Sequence, residues 1–221
     1  MVSRLLFRLQ VLLLKGVRAW DRVRLRMLMV RHPGLDIHPG ASTNLAVARF
    51  DLAPGAKLSI GDGVVAERIR DGVRFSVAAN AEVKIENDVW LRSELGPLFL
   101  RAFESGYLRV GRASQLNSCM LSAKVEVDVG ENVLLGMGSR VFDSDQHPVD
   151  SEHPEVSLPV RIEDHVWIAA DSTILRGATI GRESVVGTRS LVRGIVEPHT
   201  VVTGNPARLY SKVGDRASLA R

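Results

Sequence analysis

Aliphatic side chains recur at every sixth position along the C-terminal half of the chain: Ile162, Ile168, Ile174, Ile180, Val186 and Val192 follow one another without a miss. A helix repeats near 3.6 residues and a strand near 2, so neither element alone turns an apolar residue inward at each sixth position. A triangular solenoid does, because each flat side takes about six residues and each corner a tight turn. The same register returns upstream as Val129, Leu135 and Val141, as Val110 and Leu116, and as Val73, Ala79, Ile85 and Leu91, with Ile60 and Ala66 as a weaker start. Glycine follows the inward residue in Ile60-Gly61, Val110-Gly111, Val129-Gly130, Leu135-Gly136 and Ile180-Gly181, where a missing β-carbon relieves crowding at the turn. The pattern predicts an all-β fold, a parallel β-helix over residues 34–210.

The register slips near 92–109, between 116 and 129, and between Val141 and Ile162. That last gap is 21 residues, three more than an eighteen-residue triangular turn, so a short excursion is expected there. Protruding loops on a rigid scaffold are where function is usually carried.

The first thirty residues follow a different period. Leu5, Leu6, Leu9, Leu12, Leu13, Val17 and Trp20 fall close to helical spacing and no proline appears before Pro33, which predicts a helical segment over 1–33, either one helix or two with a break near Gly16. Arg4, Arg8 and Lys15 interrupt the apolar run and no small-residue cleavage site follows, a poor fit to a secretory signal peptide. The chain is therefore expected in the cytoplasm. Residues 1–32 hold eight basic side chains against one acid, Asp21, a formal charge of +7, which leaves the rest of the chain near −3. The body thus gives no support for nucleic-acid binding. Two readings of the helix stay open: a basic amphipathic segment at an anionic membrane surface, or a stripe packed on the body or another subunit. Residues 211–221 read as a C-terminal tail. The lone cysteine, Cys119, has no disulfide partner and reads as a small core residue.

Chemistry concentrates in the excursion, which carries Asp143, Asp145, His147, Pro148 and His153. A neutral imidazole takes a proton from a hydroxyl near neutral pH and returns it to a leaving group, so His147 is the candidate general base. Pro148 restricts the backbone immediately before it, and Asp143 or Asp145 is close enough in sequence to orient the ring. The alternative is that Asp143, Asp145, His147 and His153 hold a divalent metal, although their spacing matches no zinc signature.

The hexapeptide repeats, Asp145-Gln146-His147-Pro148, the run Val166-Trp-Ile-Ala-Ala170 and the closing Val201-Val-Thr-Gly204-Asn205-Pro206-Ala207-Arg208 together resemble the hexapeptide-repeat acyltransferases, in particular the maltose and galactoside acetyltransferase branch and its polysaccharide O-acetyltransferase relatives. The specific motifs cover about 110–210. The resemblance implies a left-handed β-helix, a homotrimer, acetyl-CoA bound between neighbouring coils with no metal, and a sugar or other small hydroxyl acceptor. It makes His147 the base, Asn117 a residue that holds the acceptor, and Trp167 part of the pantetheine or acceptor channel. It also puts the backbone of Ala169 and Ala170 against the cofactor arm, and Thr188, Asn205 and Arg208 near pantetheine, adenine and phosphate. Independently of any family, Arg189, Arg193 and Arg208 offer phosphate-binding forks in an otherwise slightly acidic body. No nucleophile-elbow motif argues for an acyl-enzyme, so direct attack is expected. Other readings remain: N-acetylation of a nucleotide-linked amino sugar, serine O-acetylation, a metal-dependent β-helical hydratase, and a non-catalytic scaffold.

Overall fold

The computed structural model describes residues 2–219, with side chains from Gln10 to Ser218. It is a left-handed parallel β-helix preceded by a single α-helix. The strands form three stacked faces. The first holds eight strands from Leu35–Ile37 to Ile195–Val196, the second eight from Val65–Ala66 to Arg208–Lys212, and the third seven from Arg49–Leu52 to Leu191–Val192.

Like packs on like inside the coil. Leu91, Leu116, Leu135, Ile168 and Val186 line the inner side of the second face, and Phe75, Leu100, Leu121, Val141, Ile174 and Val192 that of the third, all buried and held in register by the parallel ladders. Each such side chain stabilises the fold by about 1.5–3 kcal/mol relative to exposure. The corner between the first and second faces turns through a left-handed residue in successive coils: Asp88, Ala113, Asn132, His165, Glu183 and His199 all have positive φ. Their amides donate to the coil beneath, as from His165 to Glu131 (2.9 Å) and from Glu183 to Asp164 (2.9 Å). That inter-coil bond offsets the steric cost of the conformation, so residues with a β-carbon serve where glycine is the usual choice.

The coils differ in length. Lys57 pairs with Glu82 and Glu82 with Tyr107, a rise every 25 residues, whereas Arg161 pairs with Thr179, a rise of 18. The strict period of six therefore belongs to the C-terminal coils. In the wider N-terminal coils it fails at Ala79, which lies half-buried at a corner rather than inside. The expected small surplus between Val141 and Ile162 is also larger than the spacing implied. Val141 lies on the third face and Ile162 on the adjacent first face, so residues 143–159 protrude from a single corner instead of following a complete turn.

Helix α1, Val2–Arg31, is continuous through Gly16. The side chains of Arg4, Leu5, Leu6, Arg8 and Leu9 lie outside the described residues. Toward its C-terminal end α1 packs on the 3-10 turn Thr43–Val47 and the strand Leu35–Ile37: Leu25 is buried, and buried Asp21 pairs with Arg68. At the other end of the coil, Arg208–Lys212 runs antiparallel to Thr200–Thr203. Folded structure thus continues past residue 210. The amide of Arg216 bonds Glu183 at 2.8 Å, and its guanidinium lies 5.5 Å from the Trp167 ring centre.

Candidate active site

The excursion 143–159 is a two-armed loop. Ser144 bridges Ser157 in antiparallel sense, the Asp145 amide bonds the Val156 carbonyl, and the Val149 amide bonds that of His153 across the tip. His147 is exposed on the outgoing arm, after Gln146 at φ +69°. Neither aspartate bonds the ring. Asp143 is buried and its carboxylate accepts from the amides of Lys124, Val125 and Glu126 at 2.6–2.9 Å, so it anchors the base of the loop to the coil rather than orienting the imidazole. Asp145 pairs with Arg176 at 2.5 Å and accepts from the Val156 amide at 3.3 Å. The bond from Arg176 holds the Asp145 carboxyl below its usual range. Lys124 reaches the Gln146 carbonyl at 3.2 Å and Glu155 at 2.6 Å, tying both arms together beside His147. His153 turns to Asp150 at 2.8 Å. The four residues weighed as a metal set do not converge, and among the described residues no cluster of three or more His, Cys, Asp or Glu side chains has metal-binding geometry.

The other expected residues lie along a different edge, where the second face turns into the third. Corner turns stack there coil upon coil: the Gly138 amide bonds the Ser118 carbonyl (3.0 Å), the Asp171 amide that of Met137 (2.8 Å), the Arg189 amide that of Ala170 (3.0 Å), and the Leu191 amide that of Gly204 (2.9 Å). Asn117, Ala169, Ala170, Thr188 and Asn205 thereby fall on one line parallel to the coil axis. Arg208 leaves its upper end, exposed with Arg189 and Arg193. Trp167 is exposed on the outer side of the second face, in a row with Val65, Trp90, Gln115, Leu134 and Val185, its ring beside Arg216, which bonds the His165 carbonyl at the first/second corner. At this turn the Ala169 amide is taken by the Val186 carbonyl at 2.9 Å, so it is not free to donate to a ligand, and the Ala170 carbonyl accepts from the Arg189 amide at 3.0 Å.

The lower end of the edge holds residues that the period of six had concealed. Arg92 pairs in register with Asn117, 25 residues on, and Ser93 and Ser118 adjoin them. Among the described residues, Arg92 Nε, Ser93 Oγ, Asn117 Oδ1 and Ser118 Oγ are buried without a hydrogen-bond partner. Four orphaned polar atoms at one corner are a costly arrangement for a closed core and an ordinary one for a polar ligand subsite. Cys119 follows directly, but burial pushes its thiol up to about 12, which keeps it from serving as a nucleophile.

Residues 159–188 match the family model described as the hexapeptide repeat of succinyl-transferase. Over 137 residues the chain is 31% identical to the Escherichia coli (strain K12) protein described as "Putative lipopolysaccharide biosynthesis O-acetyl transferase WbbJ", covering 55% of this chain and 69% of that one. The chain belongs to the hexapeptide-repeat acetyltransferase family. Within that family it is also 31% identical over 118 residues to the Schizosaccharomyces pombe protein described as "Putative acetyltransferase C18B11.09c", across 51% of this chain; the chain spans about half (56%) of that relative's length. The crystal structure of the polysialic acid O-acetyltransferase OatWY superposes with a TM-score of 0.63 at 18% identity, covering 82% of this chain and 87% of that one, a likeness of fold.

Proposed function

We propose that the chain is an acetyl-CoA-dependent O-acetyltransferase acting on a hydroxyl of a sugar or glycan precursor, working as a homotrimer in the cytoplasm with access to glycan precursors at the inner face of the membrane. The observation that carries this reading is the height of His147. Its loop leaves the coil formed by Val129, Leu135 and Val141, whose own turn at 136–139 lies on the second/third edge midway between Asn117 below and Ala169 above. Within one chain His147 projects from the opposite edge of the third face. A three-fold axis parallel to the coil leaves heights unchanged, so a neighbouring copy presents His147 at the level of that midpoint. The apolar row Val65, Trp90, Leu134 and Trp167 is surface that such association covers.

The edge then divides by chemistry. Its upper end fits a coenzyme A: Arg189, Arg193 and Arg208 supply forks for phosphate, and Trp167 an apolar wall beside the pantetheine arm. Bound there, acetyl-CoA supplies the acetyl group as a thioester. Asn117, with Arg92, Ser93 and Ser118, holds the acceptor's hydroxyls. His147 takes the proton of the reacting hydroxyl as its oxygen bonds to the acetyl carbon, and passes that proton to the sulfur as the carbon–sulfur bond breaks. The Ala170 amide stabilises the negative charge developing on the carbonyl oxygen. No covalent enzyme intermediate is required.

Mixing two inactive variants tests the shared site. His147→Ala lowers turnover by roughly 10²–10⁴-fold, and Asn117→Ala impairs acceptor use. Co-expressed in equal amounts, the two variants regain about a quarter of wild-type turnover, because one site in four then draws an intact His147 and an intact Asn117 from different chains. Light scattering finds close to three chains per particle. No recovery in verified mixed particles, or an active monomer, overturns the shared site.

A further inference from the structure

Helix α1 carries two apolar faces, and only one of them is occupied. Asp21, Leu25, Leu28 and Met29 turn toward the body; Asp21 and Leu25 are buried, and Leu28 and Met29 are half-buried against the core. At 100° per residue, Leu12, Trp20, Val23, Met27 and Val30 fall on the opposite side. These residues are 66%, 66%, 45%, 64% and 84% exposed, which no packed stripe would be. Before Asp21 the helix stands clear of the coil, every residue from Leu12 to Trp20 being exposed.

The charges around this second stripe have one sign. Lys15, Arg18, Arg22 and Arg26 form a row along one flank and Arg24 and Arg31 lie on the other, all exposed. The sole acid between residues 10 and 31 is Asp21, buried and paired with Arg68. The acid that would weaken attraction to a negative surface is thus removed to the body side, where it fixes the helix. No helix among the described residues is long and apolar enough to cross a bilayer. An exposed apolar stripe with a tryptophan, bordered on both sides by basic residues and free of exposed acids, matches the charge and polarity of an anionic lipid headgroup layer over shallow acyl chain.

We infer that the outward stripe of α1, centred on Trp20, Val23 and Met27, is a docking surface for anionic lipid bilayers, used while the opposite stripe keeps the helix fixed to the β-helix. This surface is separate from the proposed transferase site, and its readout does not depend on catalysis. A second copy of the chain is the competing occupant, and the test separates the two.

Full-length protein is sedimented with vesicles of phosphatidylcholine alone and of phosphatidylcholine with phosphatidylglycerol, at rising salt, while particle mass is read by light scattering. Binding is expected to the phosphatidylglycerol vesicles only, weakening as salt rises. The double variant Trp20→Ser, Met27→Ser weakens it at least about tenfold, and Lys15→Gln, Arg18→Gln, Arg22→Gln about a hundredfold or more. Both variants retain the wild-type melting temperature and particle mass. The inference is overturned by absence of binding to acidic vesicles at low salt, by binding indifferent to the serine variant, or by a fall in particle mass in that variant, which assigns the stripe to a second copy. Absence of transferase turnover in the unmodified chain, with vesicle binding intact, would count against the enzymatic reading alone.

Discussion

The Asp143 carboxylate, although adjacent in sequence to the proposed catalytic loop, is a structural clamp: fully buried, it closes the turn at Lys124–Glu126 by accepting from three consecutive amides. Asp143→Ala would leave those donors unpaired in a buried corner. Loss of about 3 kcal/mol follows, a fall on the order of 5–10 °C in Tm by calorimetry. Turnover falls with it because the base of the His147 arm is released. Asp143→Asn keeps one acceptor oxygen and costs less. Equal stability of the alanine variant and the wild type would refute the clamp. Sequence alone offers Asp143 and Asp145 alike as partners for the imidazole, since proximity along the chain says nothing about side-chain direction, and the amides Asp143 serves come from a turn nearly twenty positions earlier.

At the scale of the element, the excursion 143–159 is held to the coil by few polar bonds, among them that between Asp145 and Arg176. The Asp145 carboxyl is held below its ordinary value by this bond, by the charge of Arg176 and by the Val156 amide. A depressed folded-state pKa contributes stability that is present above the unfolded carboxylate value, about 3.9, and lost as pH falls through the lower folded value. Protection of the loop amides, taken relative to the intrinsic exchange rate at each pH, should therefore fall below about pH 4, before the coil ladders open, and Asp145→Asn should show low protection already at neutral pH with a flattened acid response. An acid response unchanged in Asp145→Asn would assign the tether elsewhere. How far the loop protrudes was not legible beforehand. The gap from Val141 to Ile162 reads equally as a whole turn with a few extra residues or as one corner with many, and only the ladders that join these residues to Ile174 and Val129 choose the second. The C-terminal coils were legible to the residue because six positions fill one side. The N-terminal coils were legible in part: Ile60, Ala66, Val73, Ile85, Leu91, Val110 and Leu116 are buried as their register implied, but a 25-residue rise has no such simple period, so Ala79 falls outside the core and the pairing of Arg92 with Asn117 has no sequence signal.

Over the whole molecule, the two ends of the coil are built unlike its middle. At one end α1 and the turn Thr43–Val47 cover the first coil; at the other, Arg208–Lys212 lies antiparallel on the last strand of the second face with all five of its residues exposed. A parallel coil that simply stopped would present open backbone groups in the spacing that the next coil of another copy could extend, a template for unlimited filament growth. Reversing the last strand breaks that match of direction, and its Arg208 and Lys212 add charge at the rim. Deleting residues 207–221 should therefore convert a particle of fixed mass into one whose light scattering climbs with concentration and time, with elongated aggregates visible by electron microscopy. A truncated chain of constant mass would show that the coil is self-limiting without its reversed strand; fibre formation would make these few C-terminal residues the element that keeps a repeating architecture finite.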